Sequence, residues 1–124
     1  MLDNMFKSVV DQDPTSVVLC DLEHTIVYMN PAAIRNYAKR GGAALIGRNL
    51  MACHNDESRA LIEKVIEWFK KSADNNRIYT FTNPKDNKDV YMIALRNDEG
   101  KLIGYYEKHE YRTAETAKPY EGLE

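Results

Sequence analysis

The 124-residue sequence contains only two cysteines, Cys20 and Cys53, which are too few to build a disulfide scaffold. It has no apolar run near the roughly 20 residues that cross a bilayer, and no charged-then-apolar signal segment opens it. Its net charge of -2 gives no general attraction to nucleic acid or anionic lipid. We therefore expect a cytoplasmic protein in a reducing compartment, without a nucleic-acid or membrane partner.

The sequence also lacks the usual catalytic patterns, because it has no paired carboxylates, phosphate-binding glycine loop or serine triad. Its histidines and cysteines lack the paired spacing of a zinc site. We expect His24 and His109 at strand ends or on the surface, and Cys20 in the core. Cys53 and His54 are adjacent, so their side chains diverge, which favours packing or capping over an activated thiolate. We predict that the protein is not an enzyme.

The length predicts one domain, preceded by a helix over residues 1–10. Apolar residues recur along one face of that helix at helical spacing: Leu2, Met5, Phe6, Val9 and Val10. This face either lies on the sheet of its own chain or contacts a second copy. Residues 11–113 form the predicted domain, and residues 114–124 a mobile tail. The final Leu123 and Glu124 have the character of a vector-derived scar.

Two short β-branched runs open the domain, Val17–Cys20 and Thr25–Met29, and they predict adjacent strands. Asn30 then caps a helix whose first turn contains Pro31 and which ends at Gly41-Gly42. Such strands cannot bury their apolar faces alone, so later elements must cover them.

The longest predicted helix runs from Asp56 to Ser72, with Asn55 or Asp56 as its cap. Its apolar stripe is broad: Leu61, Ile62, Val65, Ile66, Trp68 and Phe69. Three strands follow: Arg77–Thr82, Asp89–Arg96 and Leu102–Tyr111. This order predicts an α+β domain with one antiparallel sheet, helices on one face and Val17–Asp21 as the central strand.

Three stretches in this order resemble a PAS domain between about Val9 and Thr113: Ile26–Ala33, Leu45–Leu50 and Asp98–Gly104. Cys53-His54 is similar to a Cys-His-Pro-Pro stretch of a bacterial PAS subgroup, although Asn55-Asp56 replaces the prolines. The resemblance implies a five-stranded antiparallel sheet, helices packed on one face, and a cavity between them.

The resemblance further implies a non-catalytic sensory domain that binds a small molecule, contacts other proteins, or does both in signal transduction. The candidate ligand-binding residues between the long helix and the sheet are Tyr28, Met51, Leu61, Ile62, Val65, Ile66, Phe81 and Met92. We expect a homodimer, formed through the leading helix and outer sheet face, and an unidentified signalling effector. PAS sensors usually end in Asp-Ile-Thr, whereas only Thr113 matches here, so output through the dimer is the alternative route. A structural dimerisation module with a filled core is the alternative function.

Two cofactors of PAS domains, flavin and haem, can be weighed from this sequence. The light-sensing branch of PAS domains places its flavin-reactive cysteine directly after Gly-Arg-Asn, where this sequence has Leu50, so we expect no flavin adduct. Oxygen-sensing haem PAS domains take their iron ligand from a histidine in the long helix, which has none here. His54 precedes that helix and is the candidate haem ligand for the alternative function of gas or redox sensing. The cofactor is otherwise unknown.

Overall fold

The computed structural model describes residues 1–123 and contains three α-helices and five strands. The elements are α1 (Leu2–Asp11), β1 (Val17–Asp21), β2 (Ile26–Met29), α2 (Pro31–Asn36), α3 (Asp56–Lys71), β3 (Arg77–Asn83), β4 (Lys88–Arg96) and β5 (Leu102–Tyr111). Three 3-10 turns connect α2 to α3: Ala38–Arg40, Gly42–Leu45 and Leu50–Cys53. Residues 112–123 form turns and bends, so the mobility of the tail stays a prediction. Glu124, half of the proposed scar, lies outside the described residues.

The five strands form one antiparallel sheet in the order β2-β1-β5-β4-β3. This confirms the predicted fold class. The prediction that β1 is central was wrong, because β5 lies between the opening and closing hairpins and pairs with both β1 and β4. Chain order alone does not reveal which strand fills the middle of a sheet.

Gly104 allows β5 to approach β1 closely. Gly104 is the register partner of Asp21, and a Cβ at this position would lie 2.5 Å from the carbonyl oxygen of Cys20. Backbone cannot move away as a flexible side chain would, so this strand pair requires a residue without a Cβ.

The core lies between α3 and one face of the sheet, called here the inner face. Ile62, Ile66 and Phe69 are buried along one line of α3 at i, i+4 and i+7. Each such side chain contributes roughly 1.5–3 kcal/mol when fully buried. The apolar stripe is narrower than predicted, because Leu61 is turned away from this line and is 57% exposed.

Asn30 connects the first three elements. Its side-chain oxygen accepts from Ala33 N at 2.9 Å, which confirms the predicted cap, and also from Val17 N at 3.0 Å. Its amide donates to the carbonyl oxygens of Val10 and Thr15, both at 3.0 Å. The side chain is completely buried, so these bonds compensate its loss of water.

The apolar face of α1 lies open in the single chain. Leu2, Met5, Phe6 and Val9 are 57–72% exposed, and the helix has no buried residue. Only its C-terminal end is anchored, where the Tyr28 hydroxyl donates to the Asp11 carboxylate. In the described chain, no helix has both the length and the apolar content needed to cross a bilayer.

Candidate functional site

Three side chains of β5 place polar groups on the inner face. Residues alternate between the two faces of a strand, so Tyr105, Glu107 and His109 lie on the same side. The register sets Glu107 opposite Val18 of β1 and Met92 of β4, both of which are buried. The polar groups therefore lie within the apolar core rather than at its edge.

The Tyr105 hydroxyl belongs to a fully bonded network. It lies 2.7 Å from Nδ1 of His24, whose Nε2 lies 2.9 Å from Oε1 of Glu63 on α3. A carboxylate only accepts, so His24 donates from Nε2 to Glu63, and its Nδ1 pairs with the Tyr105 hydroxyl. The network joins the turn between β1 and β2 to both β5 and α3. Burial raises the pKa of the Tyr105 hydroxyl and thus keeps it neutral.

Glu107 has no such network. Among residues 1–123, no hydrogen bond or ion pair of the structure involves its carboxylate. Its side chain is half-buried by surface, yet protein surrounds it densely enough that burial raises its pKa to about 7.

Tyr37, which directly follows α2, contacts His109 on the inner face of β5. The Tyr37 hydroxyl lies 3.5 Å from Nε2 of His109, and the two rings meet edge to face with centroids 6.5 Å apart. Burial and the nearby Glu107 charge raise the pKa of Tyr37. Burial first, then Lys88 and Lys108, lower the pKa of His109, which favours a neutral ring. His109 therefore supplies no positive charge to Glu107.

His24 and His109 correct an expectation from the sequence. We expect both at strand ends or on the surface, and the surface alternative is wrong because they are 8% and 6% exposed. His24 has a φ of 66°, in the left-handed region that tight turns use, and this conformation accompanies its inward position.

The eight predicted lining residues fall into three groups. Ile62, Ile66 and Met92 are buried in the core, and Met51 and Val65 pack against it half-buried. An inward position is wrong for Tyr28 and Leu61, whereas Phe81 lies on the inner face but at the exposed edge strand. Whether the first five bind a ligand stays a prediction.

The exposure of Tyr28, Leu61 and Phe81 has a different cause for each residue. Tyr28 is the register partner of Leu19 and lies on the outer face, where it bonds to α1. Leu61 lies off the buried line of α3. Phe81 is paired with the buried Val90 and so shares the inner face, but β3 is an edge strand and Phe81 is 54% exposed.

Two described hollows lie elsewhere on the molecule. One of about 390 Å³ is lined by residues of the α3 end and the β4–β5 turn, among them Lys70, Arg96 and Lys101. The other, of about 210 Å³, lies between the end of α1 and the outer face, near Val9, Leu19 and Tyr106. Neither is lined by a residue predicted to bind the ligand, so the predicted cavity stays a prediction.

The two cysteines differ widely in solvent exposure. Cys20 is 1% exposed, and burial raises the pKa of its thiol to about 12, as expected for an inert core residue. Cys53 is free and exposed in the turn before α3. Within residues 1–123, no group of three or more metal-binding side chains comes together.

The residues considered for flavin and haem binding, Leu50 and His54, lie in and directly after the turn Leu50–Cys53. Leu50, which replaces the flavin-reactive cysteine, is buried in the core. His54 is half-buried, and burial, Arg40 and Arg59 lower its pKa, which favours a neutral imidazole. Neither described hollow is lined by a histidine.

A family model of the PAS domain matches residues 14–107. The chain therefore belongs to the PAS domain family. PAS domains are sensory and signalling modules, and the observed sheet and helices have their fold. A comparison with curated proteins finds no match.

Solved structures with the same fold come from proteins of different roles. The chain is similar to a PAS domain from Colwellia psychrerythraea, at 13% identity and a TM-score of 0.65, covering 89% of this chain and 95% of that one. It is similar to Aer2 of Vibrio cholerae, described as a dual PAS-haem oxygen sensor, at 18% identity and a TM-score of 0.56, covering 80% and 95%. A ligand–DNA complex of Vibrio cholerae VqmA matches at 16% identity and a TM-score of 0.58, covering 89% of this chain and 50% of VqmA. These identities establish the fold alone.

Sequence analysis missed the polar groups at the centre of the inner face. It placed the strand Leu102–Tyr111 correctly but assigned no role to Glu107. Alternation along that strand puts Glu107 on the same face as Tyr105, and this was the signal that was available.

Proposed function

We propose that this PAS domain is a non-catalytic sensor that binds a small molecule on its inner face, between α3 and the sheet. The observation that carries the proposal is the half-buried, unpartnered Glu107 carboxylate at a place where a filled core would have hydrocarbon. Met51 and Val65 border the same region and retain accessible surface. An apolar site with a few polar groups is the usual composition of a ligand pocket.

Native mass spectrometry of freshly purified protein tests this proposal. Val65→Trp adds a large ring on the inner side of α3 and should expel a bound small molecule. Leu61→Trp adds the same ring at an exposed position of α3 and should leave occupancy unchanged. If the unmutated protein carries no small molecule, or if both variants bind it equally, the proposed site is wrong and a dimerisation module with a filled core becomes the better interpretation.

We propose that the protein forms a homodimer through α1. Four large apolar side chains on this helix lie in water in the single chain, and burying each contributes roughly 1.5–3 kcal/mol. The hollow beside Val9, Leu19 and Tyr106 continues this apolar surface onto the outer face. The signal would then pass through the dimer to the effector.

Sedimentation of the protein and of Phe6→Glu tests the dimer. We expect the unmutated chain to be dimeric at tens of micromolar, a concentration typical of weak interfaces, and Phe6→Glu to be monomeric. Leu61→Glu places the same charge on an exposed apolar residue outside α1 and should stay dimeric. An unmutated chain that sediments as a monomer would contradict the proposal.

A haem group fits the described residues poorly. Both ring nitrogens of His24 are bonded, His109 faces Tyr37, and His54 borders neither described hollow. The haem alternative thus rests on His54 alone. A Soret band in reconstituted protein that His54→Ala abolishes would establish it against our proposal.

A further inference from the structure

On the inner face, the Glu107 carboxylate has no hydrogen-bond or ion-pair partner among residues 1–123, and its oxygens retain some accessible surface. Its strand neighbours Val18 and Met92 offer no hydrogen bond, since both side chains are apolar. An unpaired carboxylate in such surroundings is costly, and buried polar atoms in folded proteins normally have partners. The carboxylate is therefore free to pair with a group that enters from outside the described chain.

The titratable groups that face Glu107 leave its charge unbalanced. These groups are Cys20 of β1, Tyr37 directly after α2, and Tyr105 and His109 of β5. Burial first, and then nearby charges that include Glu107, raises the pKa of Cys20, Tyr37 and Tyr105. None of the three carries a positive charge, and His109 lies where a neutral ring is favoured.

The two phenol rings add a second feature of the site. Tyr105 shares the inner face of β5 with Glu107, Tyr37 contacts His109 on that same face, and aromatic faces attract cations through their ring electrons. A carboxylate between aromatic and apolar side chains is suited to a small organic cation with an apolar body. An anionic ligand would add a second negative charge to the same apolar surroundings.

We infer that the inner-face site recognises a small organic cation, such as a protonated amine or amidine, through a charge-assisted hydrogen bond to Glu107. This inference rests on the proposed small-molecule function and assigns the ligand its chemical class. Glu107 is the residue that selects for charge, and Val18, Met92 and Tyr37 contact the apolar body.

Amide NMR titrations of ¹⁵N-labelled protein at pH 8 test the inference. The probes are benzylamine and benzamidine, each compared with a neutral twin, benzyl alcohol and benzamide. The cations should shift inner-face amides, among them those of Val18 and Met92, and bind about tenfold or more tighter than their twins. Glu107→Gln should abolish this preference. Glu110→Gln, on the outer side of the same strand beside Arg77, should retain it.

The outcomes separate the inference from the proposed function. Equal binding of cations and twins, or a preference that survives Glu107→Gln, overturns the inference and leaves the small-molecule site intact. If no probe shifts an inner-face amide, both the inference and the proposed function fail. A second readout guards against a merely structural role: Glu107→Gln should raise the unfolding midpoint at pH 8, and a lowered midpoint would count against the inference.

Discussion

Two polar side chains on the inner face of β5, Tyr105 and Glu107, differ in whether the protein gives them hydrogen-bond partners. The Tyr105 hydroxyl is bonded to His24, and His24 is bonded in turn to the exposed Glu63, so each polar atom of that chain has a partner. Glu107, two residues further on, has a carboxylate without one. A satisfied network stabilises the fold, whereas an unsatisfied charge weakens it and is retained where a site needs it. The comparison separates groups that hold the domain together from the group proposed to bind.

The largest loss of stability should come from replacing Tyr105, the side chain that has hydrogen-bond partners. Tyr105→Ala deletes a fully buried aromatic ring and should destabilise the domain by about 3–5 kcal/mol. Tyr105→Phe keeps the ring but leaves His24 Nδ1 unpaired, which should cost about 1–3 kcal/mol. Urea denaturation measures both. A Tyr105→Phe variant as stable as the unmutated protein would show that the network contributes nothing.

The next effect concerns Glu107 and pH. Burial raises its pKa to about 7 from an ordinary value near 4.5, so between these values the folded state holds a proton that the unfolded chain has lost. The contribution of Glu107 to stability is therefore greatest at low pH and falls as pH rises toward 7. The loss is on the order of 3 kcal/mol at most.

Denaturation at pH 5 and pH 8 measures this difference. Glu107→Gln should lose less stability between the two pH values than the unmutated protein does. Glu110→Gln, whose carboxylate lies outside the core, should keep the original dependence. Identical dependence in all three proteins would show that Glu107 titrates normally.

The smallest effect should come from the outer end of the bonded network. Glu63 is 57% exposed, and a hydrogen bond to so exposed a carboxylate contributes at most about 1 kcal/mol. Glu63→Gln should therefore change the free energy of unfolding by less than that amount. A loss as large as that of Tyr105→Phe would mean that Glu63 controls the whole network, which its exposure does not suggest.

The fold was predictable from the sequence to a large extent. Hydrophobic periodicity, the Asn30 cap and the turn residues predict the strands and α3 because these signals are local. The order of the strands is not local, so the central place of β5 was missed. Its position depends on pairing with both hairpins, which no single stretch encodes.

The candidate site was less predictable than the fold, partly because a β-bulge changes which side chains of β2 face inward. The β1–β2 register shifts between Leu19 and Cys20, which allows Ile26 and Met29 both to face inward while Tyr28 faces out. One extra residue reverses the alternation beyond it, so facing cannot be counted along the strand. Glu107 was overlooked for another reason, because a charged residue in a strand is ordinarily taken as solvent-facing.

The titration of the Glu107 carboxyl group is the most direct test of the account. NMR can follow its side-chain carboxyl carbon against pH, with Glu107→Gln identifying the resonance. The account predicts a midpoint near the pKa of about 7 that burial imposes in the absence of a partner. Addition of benzylamine should lower that midpoint, because a bound cation favours the ionised form. A midpoint near 4.5 without ligand would show that the carboxylate is already solvated or paired, and would contradict the account.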